Sequence, residues 1–406
     1  MTSEAPYKND LFDKKVRVSL LRLLLTFLRI GLTAFGPAMM TETKKNIVQK
    51  EKWVSEEEFL NGLALGQLLP GATFCSLTVY IGYKIRGVAG AVTSLLGLLL
   101  PPFIIMTLLS FLYFRYGEIS IIQTLLKGIV AIVVGLVANA VVEIGKSAIK
   151  DIKGGLISLM ALLLMIIYPN IFLILVVAAL AGMLCFYAPF KNKYEHAGQG
   201  ETAAPDISKP NQLKEIAIFC ITVLVIISLA SLQPVLLKLG LTFFKMGALV
   251  FGNGFTMIPL IQQEVVNHYH WLTMDEFAVG IALGQMTPGP VLITATFIGY
   301  KVAALKGALA GTLGMFLPSL LLVMLTAEVH KKIQHNPLVK AAFSGIIASF
   351  VGIMLVVLYG LARHSIVDWK TALLGAISFL ILRFTKIDVI CVIIGGTLLY
   401  WLLQLI

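Results

Sequence analysis

Four places in this chain interrupt long apolar runs with glycine and proline: "AFGP" (34–37), "LLPG" (68–71), "VFGNGF" (250–255) and "MTPGP" (286–290). The residues concerned are Gly36, Pro37, Pro70, Gly71, Gly252, Asn253, Gly254, Pro288, Gly289 and Pro290. Proline lacks a backbone donor and clashes with the preceding turn, while glycine tolerates dihedrals that other residues avoid. Within a bilayer, backbone groups freed by such a break must be buried in protein or line a wet cavity. Each break also begins a new helix, whose free N–H groups and positive dipole end point at the break. The chemistry on offer is anion binding by main-chain donors. A lone proline is more often a kink without a ligand, but four breaks in register argue against that reading here.

Side chains near the breaks extend the same chemistry. Arg29 lies two residues before Gly31, and Lys245 two before Gly247, so the two bases are matched. Charge inside an apolar run is functional by default, and the arginine fork suits a tetrahedral oxyanion. The competing role for both is anchoring at the interface. Lys84 and Lys301, each just after "IGY", form a second matched pair that could counter an anion or snorkel to the interface. Gln67 and Gln285 stand three residues before their prolines. They offer neutral hydrogen bonds to substrate or to a neighbouring helix. Thr73, Thr294 and Thr296 add hydroxyls, which otherwise bond back to their own helix. Glu58 and Glu276 open the second apolar run of each half and read first as helix N-terminal charges, then as proton carriers. Glu143, near Asn139, is a third proton candidate. The "HYH" at 268–270 has no evident third ligand and reads as a surface loop, so no metal site is expected. There is no Ser/His/Asp arrangement, Walker loop or pair of catalytic carboxylates. No cofactor and no enzymatic role are expected. A membrane enzyme acting on a lipid-borne phosphate would need a nucleophile beside a base, and none is visible.

The elements that position these residues come from one unit used twice. "EEFLNGLALGQLLPG" (57–71) returns as "DEFAVGIALGQMTPG" (275–289), and "IGYKIRGVAGA" (81–91) as "IGYKVAALKGA" (298–308), offset by 218 and 217. Gly128 and Gly135 return as Gly345 and Gly352; Asp151 and Lys153 return as Asp368 and Lys370. The expected organisation is a cytoplasmic tail (1–17), a first repeat (18–187), a polar linker (188–214), a connecting transmembrane helix (215–232) and a second repeat (233–406). One extra span would invert the second copy. Loop charge agrees: segment 41–58 carries Lys44, Lys45, Lys50 and Lys52, whereas its counterpart 260–276 carries no Lys or Arg. Inverted repeats with matched breaks are a common transporter design. Apolar runs fall near 18–40, 59–83, 87–114, 119–144 and 155–187, then 234–258, 277–300, 304–328, 341–362 and 372–402. Charge on both sides of the first run suggests a re-entrant pair of half-helices. The last run of each copy, interrupted at Tyr168–Asn170 and at Arg383–Asp388, reads as a tight hairpin.

Composition fixes the class. Of 406 residues, 58% are hydrophobic and only 13% charged, with mean hydropathy +0.91. A soluble domain carries about a quarter charged residues; this chain is all-α and polytopic, with no alternating pattern of a β-barrel. Cys75, Cys185, Cys220 and Cys391 are scattered and suggest no disulfide framework. The polar N-terminus lacks a signal-peptide pattern, so the first span is expected to be retained. The net charge of +11 marks cytoplasmic loops and anionic headgroups rather than nucleic-acid binding. The expected partners are a small oxyanion and the lipid bilayer, with a homodimer left open.

These motifs resemble the chromate ion transporter family in its long, two-domain form. The resemblance rests on "LRIGLTAFGPAM" (28–39), "WVSEEEFLNGLALGQLLPG" (53–71), "FGNGFTMIPLIQQEVV" (251–266), "WLTMDEFAVGIALGQMTPGPVLITATFIGYK" (271–301) and "LGMFLPS" (313–319). It implies chromate efflux driven by the proton-motive force in a bacterial cytoplasmic membrane, with sulfate as a related oxyanion. The residues themselves reach only a small anion, and an anion channel of the same architecture is the alternative.

Overall fold

The computed structural model describes residues 18–35, 38–196, 217, 233–250, 254–327 and 336–405. The expected tail, most of the linker and nearly all of the connecting span lie outside them. Helix α1 (Leu20–Thr33) begins at Ser19, whose hydroxyl accepts from the Arg22 N–H, and ends at Ala34. Its buried face carries Leu23, Phe27, Ile30 and Gly31. After the first break, α2 (Ala38–Thr43) passes into a π-helical turn, Lys44–Lys50. This segment returns alongside α1: Arg22 pairs with Glu51, and its guanidinium lies 5.9 Å from the Trp53 ring centroid. The pair is a re-entrant hairpin with its tip at the first break, as the flanking charges suggest.

Helix α3 (Glu56–Leu68) is capped by the Ser55 side chain. Helix α4 (Thr73–Tyr116) changes direction where Arg86 and Gly87 leave helical dihedrals, Gly87 at φ 61°. The contacts identify two successive antiparallel turns. Gly62 packs on Tyr80 and Gly66 on Thr73 and Ser76, so α3 runs against the first half of α4. Gly82 packs on Gly90, and the Ser94 hydroxyl bonds the Thr78 carbonyl at 3.0 Å, so the two halves of α4 also run against each other. The run expected over 59–83 is therefore a second re-entrant hairpin, split at 69–72. Small residues cause this: only glycine at 62, 66, 82 and 90 allows such close approach. Helices α5 (Ser120–Ala148), α6 (Ile152–Ile167) and α7 (Ile171–His196) complete the repeat.

The second copy follows the same plan. It comprises α8 (Pro234–Gly247), α9 (Met257–Ile261) with a π-helical turn Gln262–His268, and α10 (Met274–Met286). A 3₁₀ turn, Val291–Ile293, leads into α11 (Thr294–Thr326), which reverses at Ala303 and Ala304. Then come α12 (Pro337–Ser365), α13 (Trp369–Phe384) and α14 (Val389–Leu405). Asp368 caps α13, and hydrogen bonds from the Thr371 backbone and hydroxyl hold its carboxyl below the usual carboxylate range. Among the described residues, five helical segments are long and apolar enough to cross a membrane. The protein is multi-pass.

The repeats exchange helices. Helix α12 packs on α5, α6 and α7, while α5 packs on α13 and α14. Backbones approach closely there, with Gly182 against Gly345, Gly352 against Ser158, and Gly135 against Gly375. Dense contact of small residues is how helices associate without a hydrophobic driving force.

The loop charges place the two copies in opposite orientations. Single cysteines introduced at Gln49 and at Asn267, on a background lacking the four native cysteines, should react with an impermeant reagent from opposite sides. Labelling of both from one side would refute the inversion.

Candidate functional site

The re-entrant tips meet. The Gly71 N–H donates to the Val250 carbonyl at 2.6 Å, and the Gly289 N–H donates to the Ala34 carbonyl at 2.9 Å. Phe35 and Gly289 form an isolated parallel β-bridge. Gly71 and Gly289 are the same repeat position, as are Ala34 and Val250, so each copy's first tip is tied to the other copy's second tip. Both glycines have positive φ, 126° and 97°, which L side chains rarely adopt. The tips are also wedged. A Cβ on Gly71 would stand 2.3 Å from the Ser319 Oγ, and one on Gly289 would stand 2.9 Å from the Pro102 Cγ. Ser319 and Pro102 are again repeat mates, on α11 and α4.

The electrostatics of this junction follow from helix ends. At their outer ends, α3 and α10 are capped by Ser55 and Thr273, the latter in a reciprocal box with Glu276. At the tips the pattern reverses: the N-cap of α4 is Ala72, which offers no side-chain cap. The carbonyls ending the α1 and α8 segments, at Ala34 and Val250, are consumed by the cross-repeat bonds. Uncapped N–H groups therefore start α4 at a junction where these two carbonyls are already engaged, which favours an anion.

The structure sorts the side chains expected at the site. Pro70, Gly71, Thr73, Pro288, Gly289 and Pro290 lie at the junction; all are buried except Pro70, which is half-buried. Gly254 is buried there as well, at φ 87°, against Leu292. Gly36, Pro37, Gly252 and Asn253 lie outside the described residues. Gln67 is exposed at the end of α3, while the Nε2 of Gln285, its mate, is buried without a hydrogen-bond partner. Thr294 and Thr296 are absorbed by structure: Thr294 bonds the Val291 carbonyl at 2.9 Å, and Thr296 shares a 2.7 Å bond with Thr312.

The matched bases are not brought to the tips. Arg29 shares the outward stripe of α1 with Leu21, Leu25 and Leu32, opposite the buried Phe27 and Ile30. Lys245 is likewise exposed, on the stripe of α8 that carries Leu241. Neither forms an ion pair among the described residues. The helical repeat sets this: spacings of four and three from Leu21 through Leu32 keep Arg29 on that face. Lys84 and Lys301 stand at the far ends of their half-helices, 11 residues from Thr73 in the first case, or about 16 Å along the axis. They belong to the hairpin bases. Lys301 bonds Glu276 at 2.6 Å and lies 4.9 Å from the Phe114 ring centroid. In the first copy, Glu58 instead accepts from the Tyr80 hydroxyl at 2.8 Å, and Lys84 lies 5.5 Å from the Tyr80 ring centroid. Glu143 is exposed on α5, with Asn139 donating to it at 3.3 Å. Among the described residues no metal-ligating cluster forms; the ring nitrogen of His270 lies on the Val266 carbonyl. Sequence reasoning missed Ser319, Pro102 and Tyr80. A signal for the first two existed in the repeated Leu-Pro of 100–101 and 317–318, which each directly follows.

Compared with known proteins, the chain matches the family model described as "Chromate transporter" twice, over residues 21–183 and 237–401. An uncharacterized transporter of Methanocaldococcus jannaschii is 29% identical over 402 residues, 98% of this chain and 97% of its own length. The chromate transport protein of Cupriavidus metallidurans is 31% identical over 394 residues, 94% of this chain and 92% of its own. That of Pseudomonas aeruginosa is 28% identical over 390 residues, with coverage of 94% and 92%. No solved structure matches. One match falls on each repeat and together they span both pairs of re-entrant hairpins, so the chain belongs to the chromate transporter family.

Proposed function

We propose that this protein exports a small oxyanion, chromate first and sulfate as a related ion, across the cytoplasmic membrane in exchange for protons. The observation that carries the reading is the convergence of the re-entrant tips through reciprocal main-chain bonds, with an uncapped helix start beside them. Main-chain donors of this kind favour an anion, and relatives named for chromate supply the anion's identity. Among the three carboxylates considered, Glu276 is held by Lys301 and by its own cap, and Glu143 lies exposed on α5. Glu58 carries the proton in this proposal: it is half-buried, and its partner across the hairpin is the Tyr80 hydroxyl rather than a cation.

The test is uptake of labelled chromate into inverted membrane vesicles. An acid interior should drive uptake, a protonophore should remove that drive, and sulfate should compete. Glu58→Gln should still exchange chromate but lose its response to the pH gradient. Wild-type uptake that ignores the gradient would favour a channel instead.

A further inference from the structure

We infer that the hydroxyls of Ser319 and Thr73 donate hydrogen bonds to the transported oxyanion at the uncapped start of α4, making that end of the junction the binding site. This rests on the oxyanion reading above and adds side-chain ligands contributed by both repeats.

Both residues are buried, Ser319 at 1% and Thr73 at 4% exposure, and neither hydroxyl has a hydrogen-bond partner. Five further buried hydroxyls, those of Thr43, Ser76, Thr78, Thr107 and Ser365, are also unpaired among the described residues, whereas others bond back to their own helix. On the same helix as Ser319, Thr312 bonds back to the Ala308 carbonyl and Thr326 to the Leu322 carbonyl. Elsewhere Ser110, Ser344 and Thr397 do likewise. A buried hydroxyl left unpaired is costly, so two at one place need an explanation. Ser319 faces the Gly71 tip, its Oγ standing 2.3 Å from where a Cβ on Gly71 would fall. Gly71 is two residues before Thr73, in the turn that starts α4. The two residues therefore stand at the same helix start, one from each repeat, where free N–H groups already favour negative charge. The repeat mates offer nothing similar: Pro102 stands for Ser319 and Val291 for Thr73. At the start of α11 the hydroxyls of Thr294 and Thr296 are already engaged, by the Val291 carbonyl and by Thr312, so the unpaired hydroxyls lie on the Gly71 side of an otherwise symmetric junction.

The experiment measures chromate and sulfate binding to the purified full-length protein in nanodiscs, together with thermal unfolding with and without anion. Ser319→Ala should weaken both anions about tenfold, as expected for losing one hydrogen bond to a charged acceptor. Thr73→Val, which keeps the shape, should act similarly, and Thr73→Ser should retain binding. The anion-free Ser319→Ala protein should unfold at the same or a higher temperature than wild type, because an unpaired buried hydroxyl has been removed. A merely structural hydroxyl would lower it. Wild-type binding with Ser319→Ala and Thr73→Val affinities within twofold of it would overturn the inference, as would destabilisation of the anion-free Ser319→Ala protein. A wild-type protein that binds neither anion would instead sink the oxyanion reading, and this inference with it.

Discussion

Replacing Gly289 by leucine is expected to abolish chromate transport while leaving the protein in the membrane at near-normal abundance. Gly289 holds φ at 97°, and any Cβ there would stand 2.9 and 3.1 Å from the Pro102 ring. A non-glycine residue in such a region costs about 1–3 kcal/mol. A leucine side chain must also find room between α4 and the Ala34 segment. The easiest relief is for the tip to withdraw, which breaks the bond from the Gly289 N–H to the Ala34 carbonyl. Gly71→Leu should behave likewise, because φ is 126° and its Cβ would meet Ser319. The strain is local and remote from the α5 and α12 packing that joins the repeats, so folding should survive. Vesicle uptake and membrane abundance, measured on the same preparations, decide the matter. Gly289→Leu protein that transports at wild-type rates would remove the tips from the pathway.

A larger effect on folding is expected at Gly352. A Cβ there would stand 2.0 Å from the Ser158 carbonyl oxygen and 2.8 Å from the Leu162 nitrogen. Both are backbone atoms, so no rotamer change can relieve the clash. Helices α6 and α12 would have to separate, forfeiting dispersion contacts along their length. Overpacking typically costs about 1–3 kcal/mol, and here the obstacle is main chain. Losses of 1–2 kcal/mol already change cellular abundance several-fold. Gly352→Leu should therefore deplete the protein from membranes and replace its sharp gel-filtration peak in detergent with aggregate. Gly395→Leu is the matched control, because nothing lies within 4 Å of a Cβ at that position. Equal abundance of the two variants would show that the α6–α12 contact does not hold the repeats together.

The two-copy plan and the four breaks were legible because both are written in residues that the backbone itself demands. Glycine at a positive φ and proline at a helix start leave marks that survive without any alignment. Chain direction after a break was not legible. The run over 59–83 has the same hydropathy whether it kinks or doubles back. What decides is that Gly62 and Gly66 let α3 lie against Tyr80 and Thr73. Arg29 and Lys245 were matched correctly as repeat mates, yet matching says nothing about direction. Arg29 follows Leu21 and Leu25 on the stripe that turns away from the tips. Lys84 and Lys301 looked like counter-charges for substrate because the antiparallel hairpin that brings Lys301 onto Glu276 cannot be seen in one dimension. Ser319 was invisible for a related reason: its significance comes from Gly71, which lies in the other repeat.

The length of the half-helices bears on voltage. Helices α1 and α8 have 14 residues each, about 21 Å of rise, against a hydrocarbon core of roughly 30 Å. Two hairpins per repeat therefore turn back near the middle of the bilayer, and their tips are stitched together there by a pair of main-chain bonds. Were water to reach those tips from each side, the barrier between the two would be only a few residues thick, and most of the membrane potential, which drops where the medium is least polarisable, would fall across it. One charge moved through 100 mV is worth about 2.3 kcal/mol, and a dianion crossing there would feel nearly twice that within a single short step. Turnover would then depend steeply on membrane voltage.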